Sequence, residues 1–279
     1  MAGPAVGRRS LLAGSAALAA VLSAGPAWSV VAGGVAPSDF TLTTPDGRAV
    51  AITDWKPQGK PRGIILFSHG ADSAPKYYDL IVQPWIDAGW RVLAPLHVDS
   101  REHPHTTDYP GLASWKARIE DMRLLVAYIG KAPFVAAGHS YGGVVALMMG
   151  GAQPVAPDGI SLPFVRRLAD AVIAFSPPAP IPVLVTKEGY GTLAVPALIE
   201  TGTKDILPGL QVEDDGWEGH LAAFDAAAPG GHRYGLLLEG ANHYFGGAIC
   251  DYKQPGPRTG PAGGRRRYVR RLRKDRSAA

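Results

Sequence analysis

A single stretch, PFVAAGHSYGGVVALMM at residues 133–149, limits what this chain can fold into. Its apolar run at 134–137 breaks at Gly138-His139-Ser140-Tyr141-Gly142-Gly143, and a second apolar run of small side chains follows at 144–149. The pattern predicts a buried strand, a very tight turn and a helix. Gly138 and Gly142 bracket Ser140 in the spacing G-x-S-x-G, the form of a nucleophile elbow. So sharp a turn forces its serine into a strained backbone conformation, and a Cβ at either glycine would collide with the neighbouring strand or helix. The serine hydroxyl is thereby raised above a sheet, at the N-terminus of a helix. A chance glycine–serine loop has the same letters but lacks the strand before it and the helix after it.

The remaining segments predict the sheet that such a turn needs. Residues 40–44 and 49–53 alternate in polarity around Pro45-Asp46-Gly47, which predicts an opening β-hairpin. Gly63–Ser68, 90–96, Ala171–Phe175, 195–200 and 234–238 are apolar runs of the kind found in strands covered on both faces. Helical spacing recurs at 77–88, at 217–228, and at Leu112–Ile129, where Ile119, Met122, Leu125, Val126 and Ile129 share one side. Strands thus alternate with helices. The expected fold is α/β: a mostly parallel central sheet, helices on both faces and an N-terminal antiparallel hairpin. Two loops are expected to shape a site, polar 97–111 with His97, His103 and His105, and irregular 176–192 with four prolines in 177–182.

The formal charge of +4 is unevenly spread: residues 1–29 contribute +2 and residues 256–279 contribute +8, leaving the body at −6. An acidic body argues against a nucleic-acid partner. Cys250 is the single cysteine, so the chain has no intramolecular disulfide and no cysteine cluster for a metal. Near the start, Arg8 and Arg9 precede an alanine-rich apolar stretch and small residues around Ala27 and Ser29. That is the pattern of a twin-arginine export signal over residues 1–29, and it predicts a periplasmic or extracellular bacterial protein. The apolar core is short and mild beside the roughly 20 residues a membrane span needs. A catalytic domain is expected over 30–254. Residues 255–279 turn from proline and glycine to arginine and read as a basic, disordered tail, so the helix that would close the sheet is missing. The alternative for this tail is a basic helix on an anionic membrane surface, with Tyr268, Val269 and Leu272 as a thin apolar face.

A serine hydroxyl is a weak nucleophile near neutral pH; it needs a base, and the base needs an orienting acid. Asp205 follows the run at 195–200 through Thr201-Gly202-Thr203-Lys204, and His243 follows the run at 234–238 through Glu239-Gly240-Ala241-Asn242. All three residues would lie at the carboxyl ends of parallel strands, where open α/β sheets place their sites. Asp214, Asp215 and Asp225 read as solvated, His139 as packed away from the turn, and His220 as a helix residue. His103 and His105 read as polar surface rather than a metal pair. No metal or organic cofactor is expected. The charge of a tetrahedral intermediate needs backbone donors. The candidates are the Tyr141 N–H, at a helix N-terminus, and the Ala71 N–H in the loop His69-Gly70-Ala71-Asp72. Tyr77, Tyr141, Trp217, Tyr244 and Phe245 are candidate pocket walls.

Phe67-Ser68-His69-Gly70-Ala71, Gly138-His139-Ser140-Tyr141-Gly142-Gly143, Gly202-Thr203-Lys204-Asp205 and Gly240-Ala241-Asn242-His243 together resemble the α/β-hydrolase superfamily over about residues 40–247. The order Ser140, Asp205, His243 is that superfamily's nucleophile–acid–base order. Within it, the chain looks most like the dienelactone hydrolase-like and chlorophyllase-like esterases, a group that includes secreted polyester and lipid esterases. The resemblance implies a serine esterase that cleaves a small-molecule, lipid or polymer ester through an acyl-enzyme. In two respects the chain departs from the pattern: dienelactone hydrolases carry cysteine where this chain has Ser140, and the closing helix is absent. An amidase or peptidase with the same triad, and a non-catalytic binding protein on the same scaffold, are the alternatives.

Overall fold

The structure, a computed structural model, describes residues 36–206, 216–230, 232–250 and 268–273. The expected export signal at 1–29, together with Asp214 and Asp215, lies outside them. The sheet begins with β1 (Ser38–Thr43) and β2 (Ala49–Trp55), an antiparallel hairpin that sets Leu42 opposite Val50. β3 (Gly63–Ser68), β4 (Trp90–Pro95), β5 (Phe134–His139), β6 (Ala171–Phe175), β7 (Ala197–Lys204) and β8 (Arg233–Asn242) are parallel to their neighbours among one another. With β9 (Tyr268–Arg273) the spatial order is β1-β2-β4-β3-β5-β6-β7-β8-β9.

Successive strand residues face opposite layers, which is why the central strands read as unbroken apolar runs. In β3, Leu66 enters the larger core with Trp115, Met122 and Leu125 of α2 (Leu112–Ile129) and the apolar side of α3 (Tyr141–Met149). Its neighbours Ile65 and Phe67 enter a second core with Ile81 and Val82 of α1 (Asp79–Asp87), together with Ile249 and Cys250. α2 has the bounds its periodicity predicts, and Gly111 and Gly130 flank it at φ +54° and +61°, a region that favours glycine. The other two helical readings break into shorter pieces. Residues 77–88 resolve into a 3₁₀ turn, Pro75–Tyr78, and then α1; residues 217–228 resolve into a 3₁₀ turn, Glu218–Leu221, and α5 (Ala222–Ala226). The loop at 176–192 holds one short helix, α4 (Lys187–Gly191), started by the Thr186 hydroxyl accepting from the Gly189 N–H.

Six residues of the expected basic tail need a correction, and the rest of 255–279 lies outside the described residues. Tyr268–Arg273 is not disordered: it is β9, antiparallel to β8, with Gly235 opposite Leu272. Tyr268, Val269 and Leu272, which the membrane-helix alternative required on one helical face, sit in this strand. Pairing supplies the reason. The outer main-chain groups of β8 would otherwise have no partner, and a strand satisfies them whatever its side-chain composition. Among the described residues no α-helix follows β8; a 3₁₀ turn, Phe245–Gly247, is what does.

Candidate active site

β5 ends at His139 and α3 begins at Tyr141, so Ser140 alone makes the turn. Its φ is +53° and its ψ −121°, a costly conformation for any residue with a Cβ. Main-chain bonds hold it there: Ser140 N–H donates to the Phe175 carbonyl of β6 at 2.8 Å, and Gly143 N–H donates to the Ser140 carbonyl at 2.8 Å. The glycines allow close approach. A Cβ on Gly138 would stand 2.1 Å from the Gly142 oxygen, and one on Gly142 would stand 2.0 Å from the Ser68 oxygen.

β7 and β8 deliver the other two candidates. Asp205 is buried just past β7, and its Oδ1 lies 2.7 Å from His243 Nδ1. An ionised carboxylate only accepts, so His243 Nδ1 donates to it, and Nε2 is the ring nitrogen that Asp205 does not engage. Oδ2 accepts from the Thr201 hydroxyl at 2.6 Å and from the Ser176 hydroxyl. Burial alone would raise this acid, but hydrogen bonds from His220 and His243 hold it far below the usual carboxylate range. Ser140 Oγ makes no hydrogen bond among the described residues, so the serine–histidine contact is the open link in this arrangement.

The expected oxyanion loop follows β3 beside the turn. A Cβ built on Gly70 would lie 3.5 Å from Ser140 Cβ. Neither the Ala71 nor the Tyr141 N–H donates to a main-chain acceptor among the described residues. Both donors are thus left for a ligand, and the second also benefits from the positive end of α3.

Residues 65–275 match the model of the Alpha/beta hydrolase family. The chain belongs to this family. Among solved structures it is similar to the esterase domain of a Rhodothermus marinus protein, at 17% identity and TM-score 0.51, covering 76% of this chain and 91% of that one. It is similar to Thermogutta terrifontis esterase 2 with propionate bound, at 16% identity and TM-score 0.55, covering 75% and 85%. An alpha-beta serine hydrolase homologue from Coxiella burnetii matches at 14% identity and TM-score 0.51, covering 76% and 91%. At these identities the likeness is one of fold. No curated protein sequence matches the chain significantly.

Four residues of this hydrolase's site escaped the sequence reading. The first is Arg118 of α2, fully buried, whose guanidinium donates to the His69 oxygen at 2.7 Å and the Gly70 oxygen at 3.1 Å, and so grips the expected oxyanion loop by its main chain. Its other side forms a two-bond fork with Asp99, at 2.8 Å each. The signal was present: Arg118 falls three residues after Trp115 and four before Met122, a charge on an otherwise apolar stripe. The second is His97, read as part of a polar loop. It is buried instead, 2.8 Å from Ser68 Oγ and 2.7 Å from Asp121 Oδ2. This second serine–histidine–aspartate row is wholly buried and ties β3 to α2. The third is Tyr78, whose hydroxyl accepts from the Gly70 N–H at 2.8 Å. The fourth is His220, 3.1 Å from Asp205 through Nε2.

His139 also differs from its reading. Rather than packing away from the site, its Nε2 reaches the His243 carbonyl at 3.0 Å. Of the pocket candidates, Tyr244 meets the His243 ring edge-on at 5.5 Å. Phe245 packs on Phe175, the Tyr77 hydroxyl donates to Glu102 at 2.6 Å, and Trp217 lies half-buried against the larger core. The Tyr141 ring stacks on Trp115 beneath Arg118, and burial pushes its phenol up to about 12. Asp205, His220 and His243 are close enough to share an ion. His243 Nδ1 donates to Asp205, however, and so presents no lone pair there. His103 and His105 neighbour one another on the surface loop, ring centres 6.1 Å apart.

Proposed function

We propose that this hydrolase cleaves carboxylic esters through an acyl-enzyme on Ser140. One observation carries the reading: a serine held at φ +53° on a strand–helix turn, in a site whose aspartate and histidine are hydrogen bonded at 2.7 Å. His243 Nε2 takes the hydroxyl proton as Ser140 Oγ attacks the ester carbonyl. The oxyanion is met by the Tyr141 and Ala71 N–H groups. The carbon–oxygen bond to the alcohol breaks, and the alcohol leaves with the proton from His243. Water, losing its proton to the same nitrogen, then attacks the acyl carbon; the carboxylic acid departs and Ser140 recovers its proton. The open serine–histidine link closes once an acyl group fills the site, since such contacts tighten in the reacting complex. Structural neighbours named as esterases support the reading, Thermogutta terrifontis esterase 2 among them, solved both with propionate bound and phosphonylated by cyclosarin. A short acyl chain is therefore the first substrate class to try. We also propose export by the twin-arginine route, for which Arg8-Arg9 is the support; replacing both by Lys should empty the periplasm of the protein.

The test is a panel of p-nitrophenyl esters from acetate to decanoate, each paired with its anilide, on the wild type and on Ser140→Ala, with a fluorophosphonate probe alongside. Ester turnover should fall by about a million-fold in the variant and labelling should vanish. Equal turnover by both proteins would falsify the assignment, and faster anilide than ester cleavage would move it to an amidase.

A further inference from the structure

Asp205 has two histidine partners, and the esterase reading uses only one. His220 is buried on the 3₁₀ turn Glu218–Leu221. Its Nδ1 lies 2.9 Å from the Pro177 carbonyl and its Nε2 lies 3.1 Å from Asp205 Oδ1. A carbonyl can only accept, and so can an ionised carboxylate. Nδ1 therefore donates to Pro177, and Nε2 stands at ion-pair distance from an acceptor-only carboxylate, a setting that favours a second ring proton and so an imidazolium. The Asp205 carboxylate already receives the hydroxyls of Ser176 and Thr201, so the shared proton sits on the histidine side.

The groups that face this ring from the packed elements are few. Asp205 comes from the end of β7. His243 comes from the end of β8, with ring centres 5.6 Å apart. Beyond it His139, at the end of β5, has its ring centre 4.7 Å from that of His243. Pro177, past β6, offers the neutral carbonyl. Asp205 is thus the anion facing His220, and His243 is the group whose charge His220 opposes. Burial opposes the cation, yet the Asp205 carboxylate and the main-chain groups of Pro177 and Ser176 together outweigh it and lift His220 above the ordinary histidine range. His139 is pushed the other way by burial and by His243, and stays neutral.

We propose that His220 is a positioning residue that, as an imidazolium clamped between Pro177 and Asp205, fixes the acid and places a positive charge beside His243. The inference rests on the esterase reading for its kinetic consequence, though not for the charge itself. A cation beside His243 makes protonation of His243 harder, and it takes up part of the Asp205 field that favours protonation. Both effects act on the proposed base, and the acid limb of the rate profile reads them. Neutralising His220 must move the acid limb upward.

The experiment reads the pH profile of kcat/KM for p-nitrophenyl propionate in the wild type and His220→Gln, which keeps an N–H donor but no charge. The acid limb should move up by about one pH unit in the variant. In the wild type, ¹⁵N correlation spectra at pH 7 should show both His220 ring nitrogens protonated. A limb at the same pH in both proteins overturns the proposal, and so does a neutral His220 tautomer at pH 7. If the glutamine variant does not fold, the wild-type spectrum decides. If the wild type neither turns over esters nor takes the fluorophosphonate on Ser140, the esterase reading fails on its own account, and the spectrum still decides the state of His220.

Discussion

Nε2 of His139 donates to the main-chain oxygen of His243 across 3.0 Å, joining the turn that carries Ser140 to the loop that carries His243. With Nε2 protonated, Nδ1 accepts, and it receives the Tyr78 hydroxyl at 3.0 Å. That hydroxyl in turn accepts the Gly70 N–H of the oxyanion loop, and Cys250 Sγ lies 3.1 Å from it. One buried chain of polar contacts thus spans three loops of the site.

Tyr78→Phe removes the middle of that chain and leaves the ring in place. The Gly70 N–H and His139 Nδ1 lose a partner without gaining water, which costs about 1–3 kcal/mol of stability. Urea unfolding should show the loss, and kcat should fall more than KM rises, because the groups displaced are those expected to meet the transition state. An unchanged kcat would mean the chain braces the fold and nothing more.

Gly142→Ala tests the turn itself. Its Cβ would meet the Ser68 main-chain oxygen at 2.0 Å, and neither β3 nor α3 has a flexible side chain there to yield. The expected cost is about 3 kcal/mol or more. Thermal unfolding should register it as a marked drop in Tm with loss of turnover, whereas a variant as stable as the wild type would refute the packing argument.

Acid stability is predicted to depend on Asp99. Burial would raise this acid, but the Arg118 guanidinium outweighs burial and holds it at about 2. The folded value lies below the unfolded 3.8, so the stabilisation is present above pH 4 and is lost as the pH falls toward 2. Arg118→Met should abolish that part of the acid dependence, and at pH 7 it should cost roughly 3–5 kcal/mol by stranding Asp99 and freeing the His69–Gly70 loop. Unfolding free energies measured from pH 2.5 to 7 check both statements.

Glu200 predicts the opposite slope. Placed in β7 between Phe175 of β6 and Leu236 of β8 in register, it is pushed up to about 8 by burial. The folded state therefore holds its proton above the unfolded value of 4.5, and stability falls as the pH rises from about 4.5 to 8. Glu200→Gln should match the wild type near pH 4 and exceed it at pH 8, by up to roughly 1.4 kcal/mol for each pH unit crossed. A constant difference at both pH values would rule out titration of Glu200 as the cause.

What the sequence made legible was local. Leu112–Ile129 shows its period over five turns, and Ser140 is announced by the glycines that its turn requires on either side. Asp205 and His243 were readable because each follows directly on a strand. His220 was not, because its helical pattern gives no sign that the turn swings its ring onto a carboxylate fifteen positions earlier in the chain. Nor was Tyr78, whose hydroxyl gathers partners from β5 and from Cys250, 172 positions away. β9 escaped because arginines predict solvent, while pairing with β8 depends on main-chain groups that every composition carries.

That last strand has a bearing on crowding in solution. With β9 in place, the outermost strand on its side of the sheet contains Arg270, Arg271 and Arg273. Without it the border would be β8, whose Leu236, Leu237 and Leu238 offer an apolar template with a bare row of amides. An open apolar border recruits strands from other copies, and a cationic one repels them. A chain cut before Tyr268 would keep its serine, aspartate and histidine and is predicted to stack edge to edge with itself.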